Sequence, residues 1–153
     1  MSTKTDQNSL TTRVAAANIV VALVVITLKY VAYVMSGSIA LYSDALESVV
    51  NVMTAIAAYG AIRLSAVPPD SDHPFGHHKA EFLAAMFEGA MIAVAAVLIM
   101  IKAYTGLTEG VTLEHSTLGL TINGFASAIN AAWAAAMIRW GTAWRSPALV
   151  ADG

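Results

Sequence analysis

Asp44 and Glu47 lie in a stretch that is otherwise apolar for about the width of a lipid bilayer, residues 39–64. Ionised carboxylates at that depth are costly, so they are rare and commonly carry a function. Together with Asn51 they fall at i, i+3 and i+7, one face of a helix. Glu47 and Asn51 are also one turn apart, so both can touch a single cation. Oxygen ligands suit hard or borderline cations. A row of such ligands in mid-membrane, one of them titratable, is what an ion pathway needs. The alternative is that polar side chains only tie helices together, a reading open to Ser43, Ser48 and Asn51.

A second cluster follows that stretch: Asp70, Asp72, His73, His77 and His78. His73 and His77 are four apart, with Pro74 and Gly76 shaping a turn between them. Carboxylate and imidazole groups in so short a segment can bind a transition metal at the membrane surface. They can also be a solvated polar loop, and spacing alone leaves both readings open. Glu81 and Glu88 are seven apart and share a helix face. Glu81, close to Lys79, is expected to form a structural ion pair. Glu88 lies deeper and is expected either to line the same polar interior as Glu47 or to be held protonated.

These groups need elements that can hold them in lipid, and the composition provides for that. Of the 153 residues 58% are hydrophobic and only 12% charged, against about 25% charged in ordinary soluble domains. Mean hydropathy is +0.66. A soluble helical bundle is disfavoured, because polar residues are too sparse to solvate an outer face. The net charge of −2 and the lack of a basic run argue against nucleic acid. The chain has no cysteine, so any metal must be held by His, Asp, Glu, Asn or water.

The fold class expected is an all-α membrane protein, a bundle of four transmembrane helices within 13–145. Spans are expected at 13–35, 39–64, 78–104 and 116–144, each longer than the ~20 residues that cross a hydrocarbon core. Residues 1–12 read as a polar cytoplasmic segment, and the apolar run after them is too long for a signal-peptide core. The Ala- and Gly-containing third and fourth spans are expected to pack closely on protein. Trp133, Trp140 and Trp144 gather near one end of the fourth, as an interfacial anchor would. Lys4, Arg13, Arg63, Lys79, Arg139 and Arg145 fall on one side, whereas the opposite loops, 36–38 and 106–115, carry none and hold Glu109 and Glu114. The positive-inside rule then puts both termini in the cytoplasm, in a plasma (inner) membrane. Lys102 can snorkel outward, and Lys29, deeper, is expected to pair or to reach a polar cavity.

Two segments resemble a known family. SDALESVVN at 43–51 looks like the second-helix motif of the cation diffusion facilitators. DHPFGHHKAE at 72–81 is similar to the segment that opens their third helix. The resemblance covers essentially the whole chain, with 146–153 resembling the lead-in to a fifth helix. It implies a six-helix transmembrane domain truncated here after the start of helix five, so that the chain holds half of the transport site. It implies homodimeric, proton-coupled efflux of a divalent metal cation such as zinc, iron, manganese or cobalt as substrate, with protons as the counter-substrate. It places two transport ligands on Glu47 and Asn51, and a further surface metal site on Asp70, His73 and His77. The usual second-helix pair is His or Asp, then Asp; the neutral Asn51 removes a charge and alters metal preference. A rival expectation is a non-transporting helical membrane assembly or scaffold. No enzyme is expected, since neither Gly-x-Ser-x-Gly nor His-Glu-x-x-His occurs.

Overall fold

The computed structural model describes residues 4–109 and 117–153, with side chains from 8–108 and 117–153. Four long helices, α1 (Lys4–Ser36), α2 (Ile39–Ser65), α3 (Lys79–Glu109) and α4 (Thr117–Trp144), are followed by a short α5 (Pro147–Ala151). Among the described residues there is no strand. The architecture is that of an all-α membrane protein. α1, α2 and α3 are long and apolar enough to cross a membrane. α4 has 28 residues, ~42 Å at 1.5 Å per residue, but Asn123, Asn130 and Arg139 make it less apolar.

Two boundaries differ from expectation. α1 begins at Lys4, well before residue 13, because its buried face starts in the polar segment. Thr11, Ala15, Asn18, Ala22, Val25, Lys29, Ala32 and Ser36 are all buried, alternating four and three apart. That 3.5-residue repeat keeps one stripe facing its neighbours along the whole helix. α3 runs on through Glu109, so residues 106–109 are helical rather than loop. The side chains of Lys4, Glu109 and Glu114, used for orientation, lie outside the described residues.

α1 packs on α2 and α4, and α2 packs on α3, giving the order α3–α2–α1–α4. α5 lies against α3, α4 and α2. The most extensive contact is between α1 and α2, and Ala15, Ala22 and Ala32 of α1 and Ala45, Ala55 and Ala58 of α2 are all buried. Small side chains let backbones approach in lipid. α3, expected to pack closely, instead buries only Glu88 and Ala95 among its described side chains and turns a broad apolar face outward. Its alanines are spread around the helix, so they form no single close-packed stripe.

Gly37, at φ 62°, turns the chain from α1 into α2, a left-handed conformation that costs glycine little. At the opposite end, Ser65 of α2 and Ser146 before α5 both donate to the Glu81 carboxylate of α3, at 2.7 and 2.5 Å. The end of α2, the start of α3 and the end of α4 therefore meet on one side, with Arg63, Lys79, Arg139 and Arg145 near it. Glu81 does not form the expected ion pair with Lys79. Two positions apart on a helix, these side chains diverge, and the serine hydroxyls reach the carboxylate instead. The core on this side is Ala15, Ala58, Ile62, Met137, Ala148 and Leu149. α5 sits there by close approach to α4. A Cβ on Gly141 would stand 2.9 Å from a Val150 methyl and 3.0 Å from the Val150 nitrogen.

Candidate functional site

The polar row of α2 divides between two neighbours. Asp44 turns toward α1, where the Lys29 ammonium meets its carboxylate at 2.5 Å. Lys29 is almost wholly buried, with 6% of its side chain exposed, against 25% for Asp44. The expected partner of the deep lysine is thus a carboxylate of the row itself. Glu47, 60° around the helix, faces the other way and lines a cavity of about 230 Å³ with Asn51 and with Ile92, Ala95, Ala96 and Ile99 of α3. No described residue gives Glu47 a hydrogen bond or an ion pair. Asn51 and Glu47 open into the same space, as their one-turn spacing predicts.

The serines beside them do not tie helices together. Ser43 and Ser48 donate to the carbonyls of Ile39 and Asp44, one turn back in α2, the usual resting place of a hydroxyl in an apolar helix.

Asn51 also borders a second cavity, of about 160 Å³, whose polar lining includes Asn18, Glu88, Asn130, Trp133 and Asp152. Glu88 lines this cavity and Glu47 the other, so the two carboxylates do not line one interior as expected; Asn51 borders both. Asn18, Asn130 and Asp152 were missed from sequence, although a signal existed. Each is a lone amide or carboxyl in an apolar run, the same feature that singled out Asn51. Asp152 accepts hydrogen bonds from Asn18 Nδ2 at 2.5 Å and Thr54 Oγ1 at 3.2 Å. Asn18 Oδ1 in turn accepts from Trp133 Nε1 at 2.7 Å. Trp133 therefore does more than fill space.

The loop between α2 and α3 brings Asp70, His73 and His77 together, with one ligand atom from each lying within 4.8 Å of the others. The loop is held by its own backbone. Asp70 Oδ1 accepts from the Asp72 and His73 amides at 3.0 and 2.7 Å. Gly76, at φ 75°, lets its amide reach the His73 carbonyl at 2.9 Å. Those amides, the His73 N–H above all, hold the Asp70 carboxyl below its ordinary value by favouring its charged form. The His73 and His77 rings lie 4.4 Å apart. His77 Nδ1 is buried with no hydrogen-bond partner. One carboxylate and two imidazoles form a donor set suited to zinc and similar ions. His78 and Asp72 are not part of the group.

Aromatic residues mark both ends of the bundle. Tyr33 contacts both Tyr30 and Tyr42 near the α1–α2 turn, where Lys102 lies over the Tyr42 ring. At the basic end Trp140 stacks on Trp144. Such belts sit at lipid–water interfaces.

Comparison with known proteins agrees with this architecture. Residues 15–153 match the model of the cation efflux transmembrane domain. An uncharacterized transporter of Synechocystis is 44% identical over 90% of this chain and 44% of its own length. The cation-efflux pump FieF of Shewanella oneidensis is 34% identical over 79% of the chain and 41% of its own. The manganese efflux system protein MneP of Bacillus subtilis is 28% identical over 95% of the chain and 49% of its own. The chain thus spans less than half the length of these relatives. With its family model matched over almost all its residues, it belongs to the cation efflux transmembrane-domain family.

Proposed function

We propose that this chain is the membrane part of a multi-pass metal-cation efflux transporter, with Glu47 and Asn51 as its share of the transport site. The observation that carries the reading is the contrast on α2. Asp44 has its counter-charge in Lys29, whereas Glu47 has none and opens with Asn51 into a cavity between α2 and α3. A carboxylate kept in a membrane helix without a partner is suited to exchange one cation for another. Asp44 is the third oxygen of the row; it lies on the α1 side, and joins the site when Lys29 releases it and its side chain turns toward the cavity. The substrate is a divalent metal ion; zinc, iron, manganese and cobalt are the candidates, and the names of FieF and MneP support cation efflux in general and manganese in particular. Metal ligands must be deprotonated to bind, so metal and protons compete, and their exchange drives export. The Asp70–His73–His77 group is a separate surface metal site. The working form is a homodimer in the inner membrane with both termini cytoplasmic, consistent with basic residues gathered at one end.

A second reading has one observation in its favour. The Lys29–Asp44 pair shows polar residues locking helices together, as in a non-transporting assembly. Zn²⁺ calorimetry on the detergent-solubilised chain separates the two. The transporter reading expects binding heat that falls with Glu47→Ala and, independently, with His73→Ala. The scaffold reading expects no heat in any variant.

A further inference from the structure

Among the described side chains of α3, Glu88 is the one besides Ala95 that is buried, with 7% exposure. No described residue gives it a hydrogen bond or an ion pair, and it faces the 160 Å³ cavity. Across that cavity stands Asp152, held in a fixed orientation. An indole N–H can only donate, so Trp133 fixes the oxygen side of the Asn18 amide. The amide nitrogen is thereby aimed at Asp152. The Thr54 hydroxyl lies 3.2 Å from the other carboxylate oxygen and shares its one proton between that oxygen and the Asn51 carbonyl. All these donors are neutral, so each Asp152 oxygen keeps lone-pair capacity toward the cavity. Two carboxyls thus face one space, and no described basic side chain lines it. Lys29, the buried cation of the bundle, is engaged by Asp44.

We infer that this cavity is a second cation site, in which Glu88 and Asp152, aided by the Asn51 and Asn130 amides, hold a hard divalent cation of the Mn²⁺ type. The donors are oxygen and amide groups without thiolate or imidazole, which favours ions of that class over softer ones. A divalent ion cancels both carboxylate charges, where either charge alone would be stranded at depth.

Position gives the site its role. Glu88 is nine residues from the start of α3, about 14 Å along the axis, whereas Glu47 is 18 residues from the end of α2, about 27 Å. The new site is thus nearer the basic end, and Asn51 borders both cavities. A cation entering from that end meets Glu88 and Asp152 first and passes Asn51 to reach Glu47. This role rests on the transport reading; the existence of the site does not.

Trp133 lines the cavity and provides the test. In a chain carrying Trp140→Phe, Trp144→Phe and Asp70→Ala, Trp133 is the sole tryptophan and the surface group is broken. Titration with Mn²⁺, a paramagnetic quencher, is expected to quench Trp133 saturably, with Mg²⁺ competing. Glu88→Gln and Asp152→Asn should each weaken the effect by more than tenfold. Asn18→Ala, which releases both Asp152 and the Trp133 indole N–H, should weaken it about tenfold against its own metal-free baseline. Glu47→Gln should leave it in place, so failure of the transport reading and failure of this site are distinguishable. Absence of saturable quenching before any cavity residue is changed overturns the proposal without reliance on variants that must fold. Quenching that survives both carboxylate substitutions in folded protein, checked by circular dichroism, overturns it as well.

Discussion

Breaking the Lys29–Asp44 pair from either side should cost far more than removing it whole. At 2.5 Å the Coulomb attraction is about 6–7 kcal/mol at an effective dielectric of 20. Desolvating two ions costs several kcal/mol each, so the intact pair contributes near zero net. A stranded charge loses the attraction and keeps the desolvation. Asp44→Leu leaves Lys29 without a partner at 6% side-chain exposure, roughly 10 Å inside the end of α1. A loss of about 3 kcal/mol is expected, at the low end for a broken buried pair and within the membrane-insertion range for one lysine. Lys29→Met strands Asp44, which is 25% exposed and nearer a helix end, so about 2 kcal/mol is expected on the same grounds. The double variant Lys29→Met/Asp44→Leu should fall within about 1 kcal/mol of the parent. The coupling energy of the cycle is then about 4 kcal/mol, far above experimental scatter. Reversible unfolding in mixed detergent–SDS micelles, followed by tryptophan fluorescence, measures all four species. Additive single effects would refute the pairing and return Asp44 to the same standing as Glu47.

Four further outcomes follow from the local surroundings of particular residues. Gly141→Val should destabilise by about 1–3 kcal/mol, because overpacking forces α5 away from α4; Gly60→Ala, with open space around the new methyl, should be neutral or stabilising in the same unfolding assay. Asp70 should titrate with a midpoint below 3.8 by carboxyl NMR, since its folded value is depressed. The turn it anchors is then supported above the ordinary carboxylate range and loses that support only as pH falls through the lower midpoint; His73→Pro, which removes the main amide donor, should bring the midpoint back up.

The helices were legible because lipid leaves the backbone few choices. A run of apolar residues must satisfy its own hydrogen bonds, so segment length and glycine or proline breaks nearly settle the elements. The start of α1 was not legible, since Thr11 and its neighbours are polar and only packing shows that they continue the buried stripe. The loop group was readable because Asp70, His73 and His77 are close in sequence and the turn residues lie among them. The row on α2 was readable as a set, but not its division. Residues 60° apart on one face can answer to different helices, and only the position of Lys29 decides that Asp44 turns to α1. Asp152 itself carried a signal, but its place in the site was beyond reach for a different reason. Its partners, Asn18 and Thr54, are 134 and 98 residues away, and nothing local marks that meeting. Glu81 misled through proximity: Lys79 is near in sequence but lies on another side of the helix.

The central claim is that Glu47 stays unpaired in the membrane in order to hold a moving cation. Metal uptake into everted vesicles from cells expressing this protein tests it most directly. With Mn²⁺ or Zn²⁺ and an imposed proton gradient, the parent should accumulate metal and Glu47→Gln should abolish gradient-driven accumulation at equal protein in the membrane. Uptake by Glu47→Gln at the parental rate would contradict the account.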